Sequence, residues 1–437
     1  MQVSIESAQG LERRIKVAVP GAKIEQEIQA RLKSLAPRAK IAGFRPGKVP
    51  MQVVQRHYGG QVRQEVVSDV IVNSFYEAVA QEKLKPASQP FIETQRATVD
   101  SGLEYIARFE ILPDLTLGSN QAIHIERPSV QISDADVETV IERLRKQRVD
   151  WRPVERAAQN DDRVTLDYHG TIDGEEFAGN HAKGVHVVLG TGSMISGFEE
   201  GLMGTQAGQH VELNLQFPED YHHKDVAGKA ALFKVDIQMV EAPELPVLDD
   251  AFAAQFGVTE GGLARLKADV RKNMQRELDQ TVRDKVKQQV MDGLLQVNPI
   301  EVPKALIQEE SERLAAQMQQ RLGAQGTQSL GKLPLNLFEG QAQRRVALGL
   351  ILSEIVQKNA LVADPSKVKE ALLRHASTYE SPDDVVKWYY GDKQRMAELE
   401  SLVLEDQVVD WVLEQAQVTD KLATFDEIMS REPGVAA

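Results

Sequence analysis

Hydrophobic positions recur along this chain in three different rhythms, and each change of rhythm marks a candidate domain boundary. Near the N-terminus, Ile15, Val17 and Val19 alternate with Lys16 and Ala18, and Leu103, Tyr105, Ala107, Phe109 and Ile111 alternate in the same way. A period of two predicts half-buried strands. Between them, Ile24, Ile28, Leu32 and Leu35 mark one amphipathic helix, and Val62, Val66, Val70, Phe75 and Val79 mark a second. Residues 1–112 therefore read as a mixed α and β domain that Pro113 closes. Residues 113–150 read as a connection with one helix, N-capped by Ser133 and striped by Val137, Val140 and Leu144. From 151 to 243 the pattern becomes short alternating strands punctuated by Gly, Asp and Asn: Val164-Leu166-Tyr168, Val185-Val187-Leu189, Val211-Leu213-Leu215-Phe217 and Phe233-Val235-Ile237-Met239. Pro243 and Pro246 end that stretch, and residues 244–437 turn helical.

The longest helix has an unusual stripe. Leu266, Val270, Met274, Leu278, Val282, Val286, Val290 and Leu294 recur every fourth residue. A helix turns once in about 3.6 residues, so such a stripe drifts by roughly 40° per step. One straight neighbour cannot cover it. Either the helix meets different partners along its length, buried in a bundle, or part of the stripe is an open cradle for other chains. Asn298-Pro299 and Pro303 end it. Half of the ten Met residues (Met274, Met291, Met318, Met396, Met429) follow residue 247. Met adapts to varied surfaces, so these residues are either ordinary core or part of the same cradle.

Composition narrows the classes. With 437 residues, a prior of about 150 per domain gives roughly three domains. There is no Cys, which excludes disulfides, thiolate catalysis and Cys-based metal sites. No run of about 18 apolar residues occurs, so no membrane span is expected. Met1-Gln2-Val3-Ser4-Ile5-Glu6 has neither the basic nor the apolar region of a secretory signal. A cytoplasmic location is the default expectation. No GxxxxGK[ST] phosphate loop is present, so ATP is not implied, and no cofactor is expected. His222-His223, with His181 and His186 nearby, lacks a metal-ligand spacing and reads as a solvated loop.

Charge changes the picture more. The chain carries net charge -14, yet residues 1–112 hold 16 Lys and Arg against 12 Asp and Glu, while the rest holds 35 against 53. From Arg31 to Lys48 lie six basic residues (Arg31, Lys33, Arg38, Lys40, Arg45, Lys48) and no acidic one. This run ends in Gly43-Phe44-Arg45-Pro46-Gly47-Lys48-Val49-Pro50, a Gly and Pro loop joining the two helices. An aromatic ring and two cations on such a loop suit an anionic partner, with the acidic remainder of the chain held away.

The stretch from Asp161 to Val240 resembles the FKBP family of peptidyl-prolyl isomerases. The matching strings are Leu166-Asp167-Tyr168-His169-Gly170, Gly174-Glu175-Glu176-Phe177, Val188-Leu189-Gly190, Met194-Ile195-Ser196-Gly197-Phe198-Glu199-Glu200-Gly201-Leu202, Phe217-Pro218 with Tyr221, and Phe233-Lys234-Val235. The resemblance implies a site lined by Tyr168, Phe177, Val188, Met194, Ile195, Phe198, Tyr221 and Phe233, with Phe198 as its floor. The family often places an acidic residue directly after the first pocket Phe. Here that residue is Ala178, which argues against tight macrolide binding. An apolar aromatic pocket suits this reaction, because desolvating the amide favours the twisted state and no nucleophile, metal or general base is needed.

With that middle domain, the GFRPGKVP loop, the long helical C-terminal region and Pro303-Lys304-Ala305-Leu306-Ile307 together resemble bacterial trigger factor over essentially the whole chain. What this implies is an ATP-independent, ribosome-associated chaperone that binds nascent and unfolded polypeptides. The implied fold is multidomain α+β: an α/β ribosome-binding domain (1–112), a linker running along the helical region (113–150), an FKBP-like antiparallel sheet domain with a short helix (151–243), and an all-α domain with arms (244–437). Docking falls to Gly43, Phe44, Arg45, Pro46, Gly47 and Lys48, against ribosomal RNA and a tunnel-exit protein of the large subunit. Relatives often carry a basic residue where Pro46 stands. A free apolar cradle points to a homodimer off the ribosome. Two other readings stay open: a free cytoplasmic isomerase whose flanking domains recruit substrates, and an assembly factor with a degenerate FKBP-like fold.

Overall fold

The computed structural model describes residues 1–42, 44, 49–98, 102–177, 179–221, 223–330, 333–377, 379 and 381–430, with the side chains of 97, 98 and 322–330 left aside. Gly43, Arg45, Pro46, Gly47, Lys48, Ala178 and His222 thus lie outside the described residues. In chain order the elements are β1 (Gln2–Gln9), β2 (Glu12–Val19), α1 (Gly21–Leu35), α2 (Met51–Gln81), β3 (Phe91–Thr98), β4 (Gly102–Glu110) and β5 (His124–Ser129). Next come α3 (Asp134–Gln147), β6 (Asp150–Pro153), β7 (Arg163–Thr171), β8 (His181–Val188), α4 (Phe198–Leu202), β9 (His210–Gln216) and β10 (Ala230–Glu244). The remainder is α5 (Asp250–Ala254), α6 (Gly262–Val297), α7 (Lys304–Leu330), α8 (Glu339–Lys358), α9 (Pro365–Ala376), α10 (Pro382–Tyr390), α11 (Lys393–Leu413), β11 (Gln417–Leu422) and α12 (Phe425–Met429). Two compact units result: residues 1–127 with 283–421, and 128–282 with 422–437.

In the first unit, β1, β2, β4 and β3 form an antiparallel sheet in that order. The alternation of Ile15, Val17 and Val19 puts all three in the core, where Leu103, Tyr105, Ala107 and Phe109 meet them from β4. Ile24, Ile28 and Leu32 of α1 and Val62, Val66, Val70 and Phe75 of α2 fill the same core. In the chain the basic loop falls between these two helices, with only Phe44, Val49 and Pro50 of it among the described residues. The segment after Pro113 follows the end of α6: the Gly118 N–H donates to the Asn298 carboxamide at 2.7 Å, and Glu126 and Gln289 exchange two hydrogen bonds at 2.8 Å each. β11 pairs with β5, so one strand follows the helices of the last region. A bidentate Arg127–Asp420 pair at 2.7 and 3.1 Å crosses that pairing.

In the second unit, Ser133 caps α3 as expected. Its hydroxyl accepts from the Asp136 N–H, and the Asp136 carboxylate accepts from the Ser133 N–H, a capping box. The sheet runs β6-β10-β7-β8, with β9 on the same edge of β10 as β6, opposite β7. β10 is long enough to pair with β9 through its first half and with β6 through its last residues, continuing past Pro243.

The drifting stripe of α6 is covered. Leu266, Val270, Met274, Leu278, Val286, Val290 and Leu294 are all buried and Val282 is half-buried, so the stripe forms core along its length and is not an open cradle. Met274 and Met291 are buried as well; Met396 and Met429 are half-buried, and Met318 is exposed.

Candidate functional site

Six aromatic rings converge at one end of the second unit's sheet. Tyr168 comes from β7 and Phe233 from β10, where Val235 pairs with Tyr168 and Phe233 with Gly170. Gly170 leaves the space the rings occupy: a Cβ there would come within 2.7 Å of the Phe233 ring and 3.1 Å of Phe177. The turn carrying Phe177 is fixed by buried Asn180, whose N–H donates to the Phe177 carbonyl at 3.1 Å and whose carbonyl accepts from the Gly170 N–H at 2.6 Å. Phe198 starts α4 and is fully buried. Phe217 ends β9, and Tyr221 follows on a turn whose N–H donates to the Pro218 carbonyl at 3.2 Å.

Phe233 is the hub. Its ring lies 5.9 Å from Tyr168, 6.3 Å from Phe177, 5.7 Å from Phe198 and 6.1 Å from Phe217. Phe217 also meets Phe177 at 5.7 Å and Tyr221 at 4.9 Å. Most of these contacts are edge-to-face, the arrangement ring quadrupoles favour. The rings enclose a cavity of about 570 Å³ that Met194, Ile195, Ser193, Ser196, His223 and Val226 complete.

Seven of the eight residues singled out in the sequence thus line one cavity. Val188 does not. Its neighbour Val187 on β8 is buried in the core, and strand alternation turns Val188 to the other face. Residues outside the expected set also contribute, above all Phe217, Pro218, Ser193 and His223. Phe217 was legible: it shares strand parity with buried Leu213. His223 was not, because its placement depends on the turn after β9. Among the described residues no group of three or more His, Asp or Glu could hold a metal ion.

Two buried carboxylates fix loops of this domain, Glu199 at the rim of the cavity and Asp162 away from it. Glu199 accepts the backbone N–H groups of Gly190, Gly192, Ser193 and Met194. Asp162, almost fully buried, accepts from Arg156 and from the Gln159 N–H at 2.8 Å. Burial by itself raises both pKa values, but the donors outweigh it and hold each below the usual carboxylate range.

In the first unit, Phe44 is 42% exposed and its N–H donates to the Ile41 carbonyl at 3.1 Å. Arg31, Lys33, Arg38, Lys40 and Arg56 are exposed around it in the chain, and none pairs with an acidic side chain among the described residues.

Residues 1–144 match the family model described as bacterial trigger factor protein, and residues 262–414 match that of its C-terminus. Residues 154–238 match FKBP-type peptidyl-prolyl cis-trans isomerase. Trigger factor of Pseudomonas putida is 49% identical over 437 residues, covering 100% of both chains. That of Pseudomonas aeruginosa is 51% identical over 427 residues, 98% of each. The chain belongs to the bacterial trigger factor family. Its activity is that of a ribosome-associated chaperone with a peptidyl-prolyl cis-trans isomerase domain, and as a member of the trigger factor family it carries that domain in the sheet just described. Trigger factor of Pseudomonas fluorescens matches over 98% of both chains at 49% identity. One solved structure, titled "Promiscuous Substrate Recognition in Folding and Assembly Activities of the Trigger Factor Chaperone", aligns with a TM-score of 0.49 at 18% identity over 95% of this chain and 100% of that one. Among the described residues no helix is long and apolar enough to cross a membrane.

Proposed function

We propose that isomerisation takes place in the aromatic cavity, with Tyr168, Phe177, Met194, Ile195, Phe198, Tyr221 and Phe233 as the residues that meet the substrate. The observation that carries this reading is the convergence of six aromatic rings around about 570 Å³. An X–Pro amide resists rotation by about 18–20 kcal/mol because of its resonance, and the planar form is the more polar one. Surrounding it with apolar rings strips its solvation and favours the twisted state. The Ile195 N–H donates to no acceptor among the described residues and supplies a hydrogen bond for a substrate carbonyl. Phe198→Ala is expected to abolish isomerisation of a proline peptide and Phe233→Tyr to weaken it. Wild-type rates in both would sink the assignment.

The second part of the proposal concerns location. The basic run and its loop dock this cytoplasmic chain at the tunnel exit of the large ribosomal subunit, through ribosomal RNA phosphates and a tunnel-exit protein. Phe44, Arg45 and Lys48 carry the contact within Gly43–Lys48. Domain boundaries at 112, 150 and 243 separate the docking, linking, isomerase and client-binding parts. Exposed Phe44 and the four exposed cations ahead of it, which pair with no acidic side chain among the described residues, support this reading. The helical part exposes large apolar side chains, Leu337, Val362, Leu373, Trp388 and Tyr390, that suit nascent and unfolded polypeptides and, off the ribosome, a second copy of the chain. The triple variant Phe44→Ala, Arg45→Ala, Lys48→Ala should no longer pellet with ribosomes while still isomerising peptides. Wild-type binding should weaken steeply with salt, since each phosphate contact releases counterions. Undiminished pelleting of the triple variant would refute the docking role.

A further inference from the structure

The walls of the cavity are held by ring packing, but its rim hangs from one side chain. Glu199, the second residue of α4, is 7% exposed. Its Oε2 accepts the N–H groups of Gly190 at 2.9 Å and Gly192 at 3.0 Å. Its Oε1 accepts the N–H of Ser193 at 2.7 Å, the Ser193 hydroxyl at 3.1 Å and the N–H of Met194 at 3.2 Å. Five donors converge on one carboxylate, which saturates its roughly four lone-pair sites. The segment they come from has no regular secondary structure of its own. It turns through positive φ at Gly190 (88°) and Gly192 (67°), and the Thr191 hydroxyl adds a bond to the Val188 carbonyl at 2.8 Å.

This segment leads straight into the site. Ser193, Met194 and Ile195 line the cavity, and the Ile195 N–H is the next backbone donor after the run that Glu199 captures. α4 also places Phe198, the fully buried floor, one residue before Glu199. One short helix therefore fixes the floor through a ring and the rim through a charge. We propose that Glu199 is the positioning residue of the isomerase: ionised, it aligns the backbone of 190–194 so that the Ile195 N–H meets the substrate carbonyl as the amide twists. This rests on the aromatic cavity being the isomerase site. Glu199 does not line the cavity and touches no substrate. Its effect is on a contact that matters most in the twisted state, so it acts on kcat rather than on ground-state binding.

The test uses the full chain, a proline peptide substrate, and three variants. Glu199→Gln keeps the size but sets an amide NH₂ against backbone N–H donors. Asp162→Asn is the control: a second buried carboxylate in the same domain, also fed by a backbone N–H and also remote from the cavity lining. Phe198→Ala tests the site itself. Glu199→Gln should lower kcat about ten- to a hundred-fold, the scale of a misplacement near 1 Å, with KM within about twofold. In chain labelled with ¹⁵N-isoleucine, the Ile195 amide signal should move in Glu199→Gln and stay in place in Asp162→Asn. Asp162→Asn should lose stability yet keep kcat and KM. If Phe198→Ala is inactive while Glu199→Gln keeps wild-type kcat, the positioning role is wrong and the site stands. If Phe198→Ala is fully active, the site reading fails and this proposal with it. Should Glu199→Gln not fold, Glu199→Asp decides: its charge is intact but its reach is one methylene short. A reduced kcat with a displaced Ile195 signal supports the role, and wild-type kcat with that signal displaced overturns it.

Discussion

The two larger sheets of this chain solve the same packing problem and end differently. In the N-terminal sheet the cover is two helices of 15 and 31 residues, and their stripes reach along the strands. The central strands β2 and β4 close into core on that face. Even Tyr105 is fully buried, with its hydroxyl shared between the Ser74 Oγ at 2.8 Å and the Ile71 carbonyl at 3.2 Å. In the isomerase sheet the helical cover is α4 alone, five residues long. It seats Phe198 and Leu202 and leaves the rest of the face to loops. The space left over is the cavity. A sheet face becomes core or site according to how much of it the covering element can fill. Strand pattern alone does not decide this, since both sheets alternate apolar and polar residues alike.

The largest test of this comparison sets two buried phenylalanines against each other. Phe75, 2% exposed, fills the closed face and Phe198 floors the open one. Truncating either to alanine should cost about 3–5 kcal/mol, the usual range for a buried ring. Hydrogen exchange should show the loss locally, in peptides of β4 for Phe75→Ala and of β7 for Phe198→Ala. Isomerisation should survive the first and vanish with the second. Isomerisation lost equally in both would mean that the two sheets do not act independently.

A smaller effect separates the loops of the open sheet from its walls. Asp162 has a depressed pKa in the folded chain because Arg156 and the Gln159 N–H outweigh its burial. A depressed folded value means its contribution is present above the unfolded carboxylate pKa and fades as pH falls through the folded one. Wild-type protection of β7 should therefore decline in acid below the ordinary carboxylate range. Asp162→Asn should lose about 1–3 kcal/mol at neutral pH, the cost of leaving a buried donor unmet, and should flatten that part of the acid profile. An unchanged acid slope in the variant would assign the effect to another carboxylate.

The sequence shows these regions unequally. Strands that bury one face announce themselves, as Ile15, Val17 and Val19 do. β1 and β11 do not, because almost every residue in each is exposed and the apolar positions are too few to mark a buried face. The stripe of α6 is visible, but whether it is cradle or core depends on partners far along the chain, and the structure makes it core. In the cavity, residues inside a contiguous string such as Met194 to Phe198 are legible. Ser193, Val226 and His223 are contributed by loops that only the folded isomerase sheet brings round. Val188 shows the converse error, where a matching string includes a residue that strand parity turns away. The loop at Phe44 is the most local feature of all: its composition alone marks it, without any contact.

The smallest effect concerns the Ser74–Tyr105 pair inside the closed face. Burial raises the Tyr105 pKa above the ordinary phenol value, and the bond to Ser74 only partly offsets this. Ser74→Ala removes one partner but leaves the bond to the Ile71 carbonyl, and Tyr105→Phe leaves Ser74 its own bond to the Val70 carbonyl. Each should therefore cost only about 0.5–1.5 kcal/mol, the net worth of a single hydrogen bond. Because both act on one contact, the double variant should cost less than the sum of the two, by several tenths of a kcal/mol or more. Isomerisation should be untouched in all three. Strict additivity would show that the pair is not coupled and that the closed face tolerates its polar groups separately. A loss of isomerisation would be the more damaging result, since a change of one hydroxyl in a filled core would then be felt in a cavity on another sheet.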